Sequence, residues 1–262
     1  MSVVVYPVKS ELKTQEFDLF ETLLKSLQRS QIILETGDVL IISSKYVANS
    51  QGRVIEYEHV VPSEESKSLA AKFHLSPKIA EVILRESDVV FGGVPGFVIT
   101  SADKILAPNA GIDKSNAQKG KLILYPTDIY NVAEQLRRKF FLKFAIHVGI
   151  IVIDSRLMPA RVGTTGVALA CAGIEPLSDI RGQKDLYGNP LKVTFQAVAD
   201  NLASIANFKM GEGSDSTPFA VIKNAEVRLT DRKINYDEMA ISHDQCVYVR
   251  GLKTTILDTH GF

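Results

Sequence analysis

The run Val148-Gly149-Ile150-Ile151-Val152-Ile153 reads as a buried strand, and it ends abruptly on Asp154-Ser155-Arg156. A second acidic element answers it. The stretch Ala107-Pro108-Asn109-Ala110-Gly111-Ile112-Asp113-Lys114-Ser115-Asn116 sets one carboxylate among Pro, Gly and Asn, between two apolar strands. A carboxylate at the tip of an apolar strand, facing another in a Gly/Asn loop, suits a divalent cation. Hard cations such as Mg²⁺ take carboxylate and hydroxyl oxygens and share their remaining positions with water and phosphate. Asp and Asn in loops also form Asx-turns or cap the next helix, and spacing alone does not separate these readings.

The chain has 262 residues, enough for one large domain or two smaller ones. With no repeat, low-complexity tract or linker, residues 1–262 read as a single unit whose internal boundary, if any, is soft. Thirty basic residues balance thirty acidic ones, which argues against a nucleic-acid or membrane partner. The apolar run from Phe144 to Ile153 carries His147 and is too short to span a bilayer. Cys171 and Cys246 lie far apart with no metal-ligand spacing, which suits a reducing, cytoplasmic setting. The amino terminus lacks a basic n-region or cleavage site, so Val3 to Tyr6 reads as a first strand, broken by Pro7.

Asp18 can cap a helix whose apolar face is Leu19, Phe20, Leu23, Leu24 and Leu27. Gly37-Asp38 turns into the strand Val39–Ile42. That strand runs into Ser43, Ser44 and Lys45, which can meet a phosphate or cap the following turn. Ser63 starts a helix ending near His74, and Ser76-Pro77 opens another. Val89–Phe91 and Phe97–Thr100 read as a hairpin with the five-residue connection 92–96, which lacks the phosphate-loop pattern. Leu122–Tyr125 is a strand. The helix after it, starting at Thr127 or Asp128, shows Ile129, Val132, Ala133, Leu136 and Phe140 on one face, with Arg137, Arg138 and Lys139 as a solvated end. His147 reads as a core or edge histidine rather than a ligand. Gly166–Gly173 should pack closely. A later helix should turn Phe195, Val198, Leu202, Ile205 and Ala206 inward and end at Gly211, a left-handed C′ residue. Phe219–Ile222 and Cys246–Val249 read as strands.

Six stretches carry a resemblance. They are Gly37–Leu40; Ala48 through Gly52-Arg53; Asn109–Asp113 with Ser115-Asn116; Asp154-Ser155 with Pro159, Arg161 and Gly163; Lys184–Gly188; and Met210–Gly213. In this order they resemble the coenzyme F420-0:gamma-glutamyl ligase family, of archaeal type, to about residue 225. The resemblance implies a mixed α+β fold with largely antiparallel sheets and packed helices, built as an intertwined homodimer. It implies a GTP-dependent amide ligase with small-molecule substrates F420-0, L-glutamate and GTP, using Mg²⁺ or Mn²⁺, with K⁺ as a further cation. GTP would phosphorylate a substrate carboxylate, and the amine of L-glutamate would attack the acyl phosphate, leaving a γ-linked amide, GDP and phosphate.

On the same resemblance Asp113 and Asp154 are the catalytic pair, and Asp113, Asp154, Ser155 and Glu212 the metal ligands. Asn116 and the loop Met210, Gly211, Glu212, Gly213, Ser214 and Asp215 would hold the nucleotide. Ser43, Ser44 and Lys45 join that set from their place at the end of the strand Val39–Ile42, Lys45 lying one helical turn before Asn49, and Glu11 and Leu12 of the amino-terminal segment are further candidates. The chain departs from the family pattern at Arg156-Leu157-Met158-Pro159-Ala160-Arg161, which loses an arginine and an aromatic residue. Ala48-Asn49 stand where the family has Ser-Lys, and Lys9–Thr14 match poorly. These changes bear on the acceptor rather than on the metal chemistry. Two other readings stay open: a ligase that glutamylates a pterin- or folate-like carboxylate, and a non-catalytic nucleotide-binding protein.

Overall fold

Strands that are apolar on both faces are satisfied only in the interior of a sheet covered from both sides. The computed structural model, which describes residues 2–102 and 105–253, places two such strands side by side. The first half of the chain gives β1 (Val4–Val8), α1 (Leu19–Arg29), β2 (Val39–Ser43), α2 (Ser44–Ser50), β3 (Val54–Glu56), α3 (Glu64–Phe73), α4 (Pro77–Glu86), β4 (Val89–Val94), β5 (Phe97–Ala102), β6 (Ile105–Pro108) and β7 (Lys121–Ile123). The second half gives α5 (Ile129–Phe144), β8 (Gly149–Leu157), β9 (Thr164–Ala172), β10 (Leu177–Asp179), β11 (Phe195–Ala197), α6 (Val198–Met210), β12 (Phe219–Lys223) and α7 (Val247–Lys253).

The main sheet has the order β1-β12-β2-β8-β9. β2 and β8 run parallel, Val39 opposite Gly149 through Ser43 opposite Ile153, and the other strand pairings described are antiparallel. The fold is thus mixed α+β with largely antiparallel sheets. Side chains alternate across the sheet with period two. Leu40, Ile42, Ile150, Val152 and Val221 pack under Phe20, Leu23 and Leu27 of α1 and Ala133, Leu136 and Phe140 of α5. Val39, Ile41, Ile151, Ile153, Ala220 and Ile222 lie under Ala199, Ala203, Ala206 and Met210 of α6. Fully burying one such aliphatic chain contributes about 1.5–3 kcal/mol, so this double-sided packing anchors the molecule. Asp18 caps α1 as expected, its Oδ1 accepting from the Glu21 amide at 2.9 Å. A further core gathers Phe73, Ile79, Val82, Ile83, Val98, Leu122 and Leu124 between α3, α4 and the small sheets β3-β7 and β4-β5-β6.

Several expectations are corrected. Pro7 lies inside β1, tolerated because β1 is an edge strand and needs no amide on its outer side. The hairpin turn is Pro95-Gly96, since Gly92 and Gly93 belong to β4, at a bulge. β8 does not stop at Ile153. It continues to Leu157, with Asp154 and Ser155 paired to Val167 and Gly166 of β9. The buried face of α6 is alanine, not Phe195 or Ile205, because α6 rides directly on β9. A Cβ at Gly166 would stand 2.4 Å from the Ala203 carbonyl oxygen. Phe195 instead belongs to β11 and Ile205 is exposed.

α5 runs on to Phe144, so Arg137 is no solvated end. Its guanidinium is buried, donating from Nε and Nη2 to Glu134 at 2.8 and 2.9 Å and from Nη1 to Asp231 at 2.9 Å. His147 precedes β8 and is partly exposed, with Nδ1 3.4 Å from Asp231.

The tail beyond β12 crosses the α6 side of the sheet. Thr230 N donates to the Gly173 carbonyl, Ile234 is buried in that core, and Met239 Sδ lies 3.7 Å from both Cys171 Sγ and Tyr130 Oη. Residues 247–253 are helical, not the strand expected over Cys246–Val249. Both cysteines are free. Burial pushes the Cys171 thiol up to about 12, so it stays protonated at neutral pH and acts as a small apolar residue.

Glu134 is the counter-charge of Arg137, and Glu134→Gln should destabilise the fold by about 2–3 kcal/mol in urea unfolding at pH 7. Hydrogen bonds from Arg137 hold the Glu134 carboxyl below its ordinary range, outweighing burial, with Arg138 adding to them. The stabilisation is therefore present above the unfolded value of about 4.3 and is lost as pH falls through the lower native one. The wild-type advantage should persist at pH 5 and shrink only below about pH 4.

Candidate functional site

Because β2 and β8 are parallel and in register, β2 ends at Ser43 opposite Ile153, just where β8 reaches Asp154 on its way to Leu157. Ser43-Ser44-Lys45 thereby comes beside Asp154-Ser155. The ends of parallel strands are where open sheets commonly admit ligands. A cleft of about 190 Å³ opens at this point. Its walls are Ser10–Lys13, the start of α2 with Lys45, Tyr46 and Asn49, Asp154-Ser155 on β8, and the whole segment Met210–Pro218 after α6. A larger hollow of about 650 Å³ lies between α3, α4 and β4, but none of the sequence-predicted site residues lines it.

Each carboxylate in the cleft region has definite partners. Asp154 Oδ1 accepts from Ser44 Oγ at 3.1 Å, and Arg156 Nε stands 2.8 Å from its Oδ2. Asp113 Oδ2 lies 2.5 Å from Lys45 Nζ, while its Oδ1 accepts from the Ser115 amide at 2.6 Å. Lys45 also donates to Ser115 Oγ at 2.9 Å. Burial raises the Asp113 carboxyl, but the Lys45 ammonium and the Ser115 amide outweigh it and leave it below the ordinary range. Glu212 Oε1 accepts from Ser155 Oγ at 2.6 Å, Asn207 Nδ2 at 2.8 Å and Thr164 Oγ1 at 3.2 Å. Asn116 Nδ2 reaches the Gly213 carbonyl at 3.4 Å and so touches the loop after α6. Gly211 has φ +78° with an extended ψ of 170°, so it turns the chain without the left-handed helical geometry expected of it. A Cβ there would stand 2.4 Å from Asp215 Oδ2.

Residues 7–224 match the family model described as F420-0:Gamma-glutamyl ligase. The chain is 36% identical over 227 residues to the coenzyme F420:L-glutamate ligase of Methanopyrus kandleri, covering 86% of this chain and 88% of that one. It is 35% identical over 227 residues to the protein of the same name from Archaeoglobus fulgidus, covering 87% and 90%. Against its namesake in Methanocaldococcus jannaschii it is 37% identical over 199 residues, covering 76% and 80%. The chain belongs to the F420-0:gamma-glutamyl ligase family.

The residues singled out by the family motifs converge. Glu11, Leu12, Ser43, Lys45, Asn116, Asp154, Ser155, Met210, Gly211, Glu212, Gly213, Ser214 and Asp215 line the cleft. Ser44 and Asp113 stand just behind its wall, joined to it through Asp154 and Lys45. The family stretch Lys184–Gly188 is elsewhere, on the exposed excursion between β10 and β11, and Arg161 is exposed on the turn after β8. Tyr46, Asn207 and Arg156 were not expected in the site. Tyr46 donates to the Glu11 carbonyl at 3.0 Å and lies 2.8 Å from Ser10 Oγ, fixing the amino-terminal segment against α2. Nothing in a Lys-Tyr-Val triplet announces such a contact across 35 residues. Asn207 sits on the last turn of α6, and only its five-residue distance from Glu212 hinted at contact.

The donor set suits a hard cation, since Asp113, Asp154, Ser155 and Glu212 offer only oxygens. Among the described residues no three His, Cys, Asp or Glu side chains meet at one point, and Lys45 and Arg156 pair with two of the carboxylates. The two aspartates therefore differ in what they support. Asp154→Asn leaves the buried Arg156 without its counter-charge and should cost about 3 kcal/mol of stability. Asp113→Asn breaks a partly exposed pair and should cost no more than about 1 kcal/mol. Chemical denaturation of both variants at pH 7 measures the difference, and equal losses would contradict it.

Proposed function

We propose that this protein is a GTP-dependent ligase that joins L-glutamate through a γ-linkage to coenzyme F420-0 by way of an acyl phosphate, with release of GDP and phosphate. The observation that carries this reading is the convergence of Lys45, Asp154, Ser155 and the Met210–Asp215 loop on one cleft beside the carboxyl end of β2, with Asp113 held just behind its wall by Lys45. Phosphoryl transfer asks the protein mainly for positioning and for charge compensation around the phosphates, and this is what the cleft offers. Lys45 would turn from Asp113 toward the nucleotide polyphosphate. The glycine-bearing loop after α6 would wrap the nucleotide, and Asn116, already touching that loop, would close on it. Asp113, Asp154, Ser155 and Glu212 would hold Mg²⁺ or Mn²⁺, with K⁺ as a further cation. Such ions, when bound, would neutralise the charge that develops on the phosphates during transfer.

The intertwined homodimer belongs to the same proposal. Leu186, Tyr187 and Val193 stand fully exposed on the excursion between β10 and β11, apolar surface of the kind an exchanged arm would cover. Among the described residues no helix is long and apolar enough to cross a membrane, in keeping with the proposed cytoplasmic setting.

Mass spectrometry of the protein incubated with GTP, Mn²⁺ and L-glutamate, with and without F420-0, tests the reading. The expected result is one or more added glutamyl masses on F420-0 and formation of GDP, both lowered at least about a hundredfold by Asp113→Asn. Glutamylation of a pterin or folate instead would place the acceptor elsewhere, and nucleotide binding without turnover would leave a binding protein. Lys45→Ala should raise the KM for GTP at least about tenfold, roughly 1.4 kcal/mol. An unchanged KM would remove Lys45 from the phosphate site.

A further inference from the structure

Arg156 follows Asp154 by two positions on β8, so both side chains leave the same face of the strand. The arginine side chain is only 6% exposed, and its Nε stands 2.8 Å from Asp154 Oδ2. The rest of the guanidinium faces another part of the chain. Nη1 donates to the Leu106 carbonyl on β6 at 3.4 Å, and Cζ lies 5.8 Å from the centre of the Tyr125 ring. Nη2 is 3.6 Å from where a Cβ on Gly111 would stand. Leu106 precedes the Asp113 loop, Gly111 lies within it, and Tyr125 follows the strand to which it is pinned. The pinning is direct: the amides of Asp113 and Ile123 donate to each other's carbonyls at 3.0 and 2.9 Å. One buried group thus touches the strand that bears Asp154 and both flanks of the loop that bears Asp113.

Stability alone does not account for this arginine. Nη2 has no hydrogen-bond partner among the described residues, and Nε, though 2.8 Å from Asp154 Oδ2, makes only a charge contact there rather than a hydrogen bond. A buried arginine–carboxylate pair of this kind is commonly replaceable, both partners together, by apolar residues at no loss of stability, although removing one partner alone is costly. Its planar, forked shape does suit contact with a carboxylate on one edge, a carbonyl on another and an aromatic face. We propose that Arg156 is a positioning residue, clamping the 109–116 loop to the Asp154 strand and fixing the separation of the two aspartates. The catalytic part of this proposal rests on the ligase reading above, whereas the clamp itself does not.

Hydrogen exchange and kinetics on Arg156→Ala, Arg156→Lys and wild type test it together. In Arg156→Ala, amides of 109–116 should exchange at least about tenfold faster, with those of α1 and β2 unchanged. Turnover should fall about a hundredfold, equivalent to roughly 2.7 kcal/mol, with the KM for GTP altered less than about threefold. Millimolar guanidinium chloride, filling the vacated space, should slow the loop exchange and restore at least about tenfold in turnover. Lysine, lacking the fork, should recover less than the added guanidinium.

Unchanged loop exchange in Arg156→Ala overturns the proposal. So does a uniform rise in exchange and loss of activity that guanidinium leaves untouched, which would mark an ordinary core residue. Should the alanine variant fail to fold, the same comparison on Arg156→Lys decides: faster exchange confined to 109–116 supports the clamp and unchanged exchange rejects it. If wild type does not glutamylate F420-0, the exchange measurement still decides the clamp, and only the ligase reading falls.

Discussion

The parallel pairing of β2 with β8 is the constraint on which the rest depends. Two antiparallel strands would have sent Ser43-Ser44-Lys45 and Asp154-Ser155 to opposite ends of the sheet. The parallel register delivers both to one end, with Ser43 opposite Ile153. That register is held because both strands are apolar on both faces and any one-residue slip would exchange every partner in two cores at once. The helices that cover those faces then supply the other walls: α6 ends in the Met210–Asp215 loop, and the segment before α1 contributes Ser10–Lys13.

Gathering three carboxylates would be unfavourable if they were left bare, since like charges raise one another's energy. The molecule answers each differently. Asp113 meets a partly exposed ammonium, Asp154 a buried guanidinium and a hydroxyl, and Glu212 two hydroxyls and an amide. The first of these partners is a long flexible side chain able to leave. The second is enclosed and cannot. Under the proposed reading Asp113 is therefore the carboxylate that a cation would free with little rearrangement, while Asp154 would be freed only in part.

Much of this was legible in the chain. The runs Val39–Ile42 and Val148–Ile153 announced the central strands, Asp18 and Ser63 announced helix starts, and the family motifs pointed to residues that do share a cleft. What escaped notice was set by contacts distant in sequence. The inward face of α6 is mostly alanine because β9 presents Gly166 to it; Leu202 packs at the edge of that core as expected, whereas Phe195 and Ile205 point elsewhere. Asp154 looked like a strand end because the apolar pattern stops there, although backbone pairing with β9 goes on to Leu157. Arg137 read as part of a solvated helix end, and Arg156 only as the start of a departure from the family pattern. Their burial follows from carboxylates at Glu134 and Asp154, and nothing in local composition distinguishes a paired arginine from a solvated one. Cys246–Val249 has strand-like residues, but among the described residues no neighbouring strand receives it, and residues 247–253 satisfy their backbone as a helix.

The tail gives the domain a folding boundary that differs from its evolutionary one. The family match stops at residue 224, yet Ile234 fills the core under α6 and Leu229 bridges to Ile174. A fragment cut where the family ends would bare the apolar flank of β9 and strip Arg137 of Asp231. Thirty or so residues that carry none of the shared motifs are thus part of the minimum autonomous unit. Boundaries drawn for expression, fusion or domain exchange have to follow the buried surface rather than the alignment.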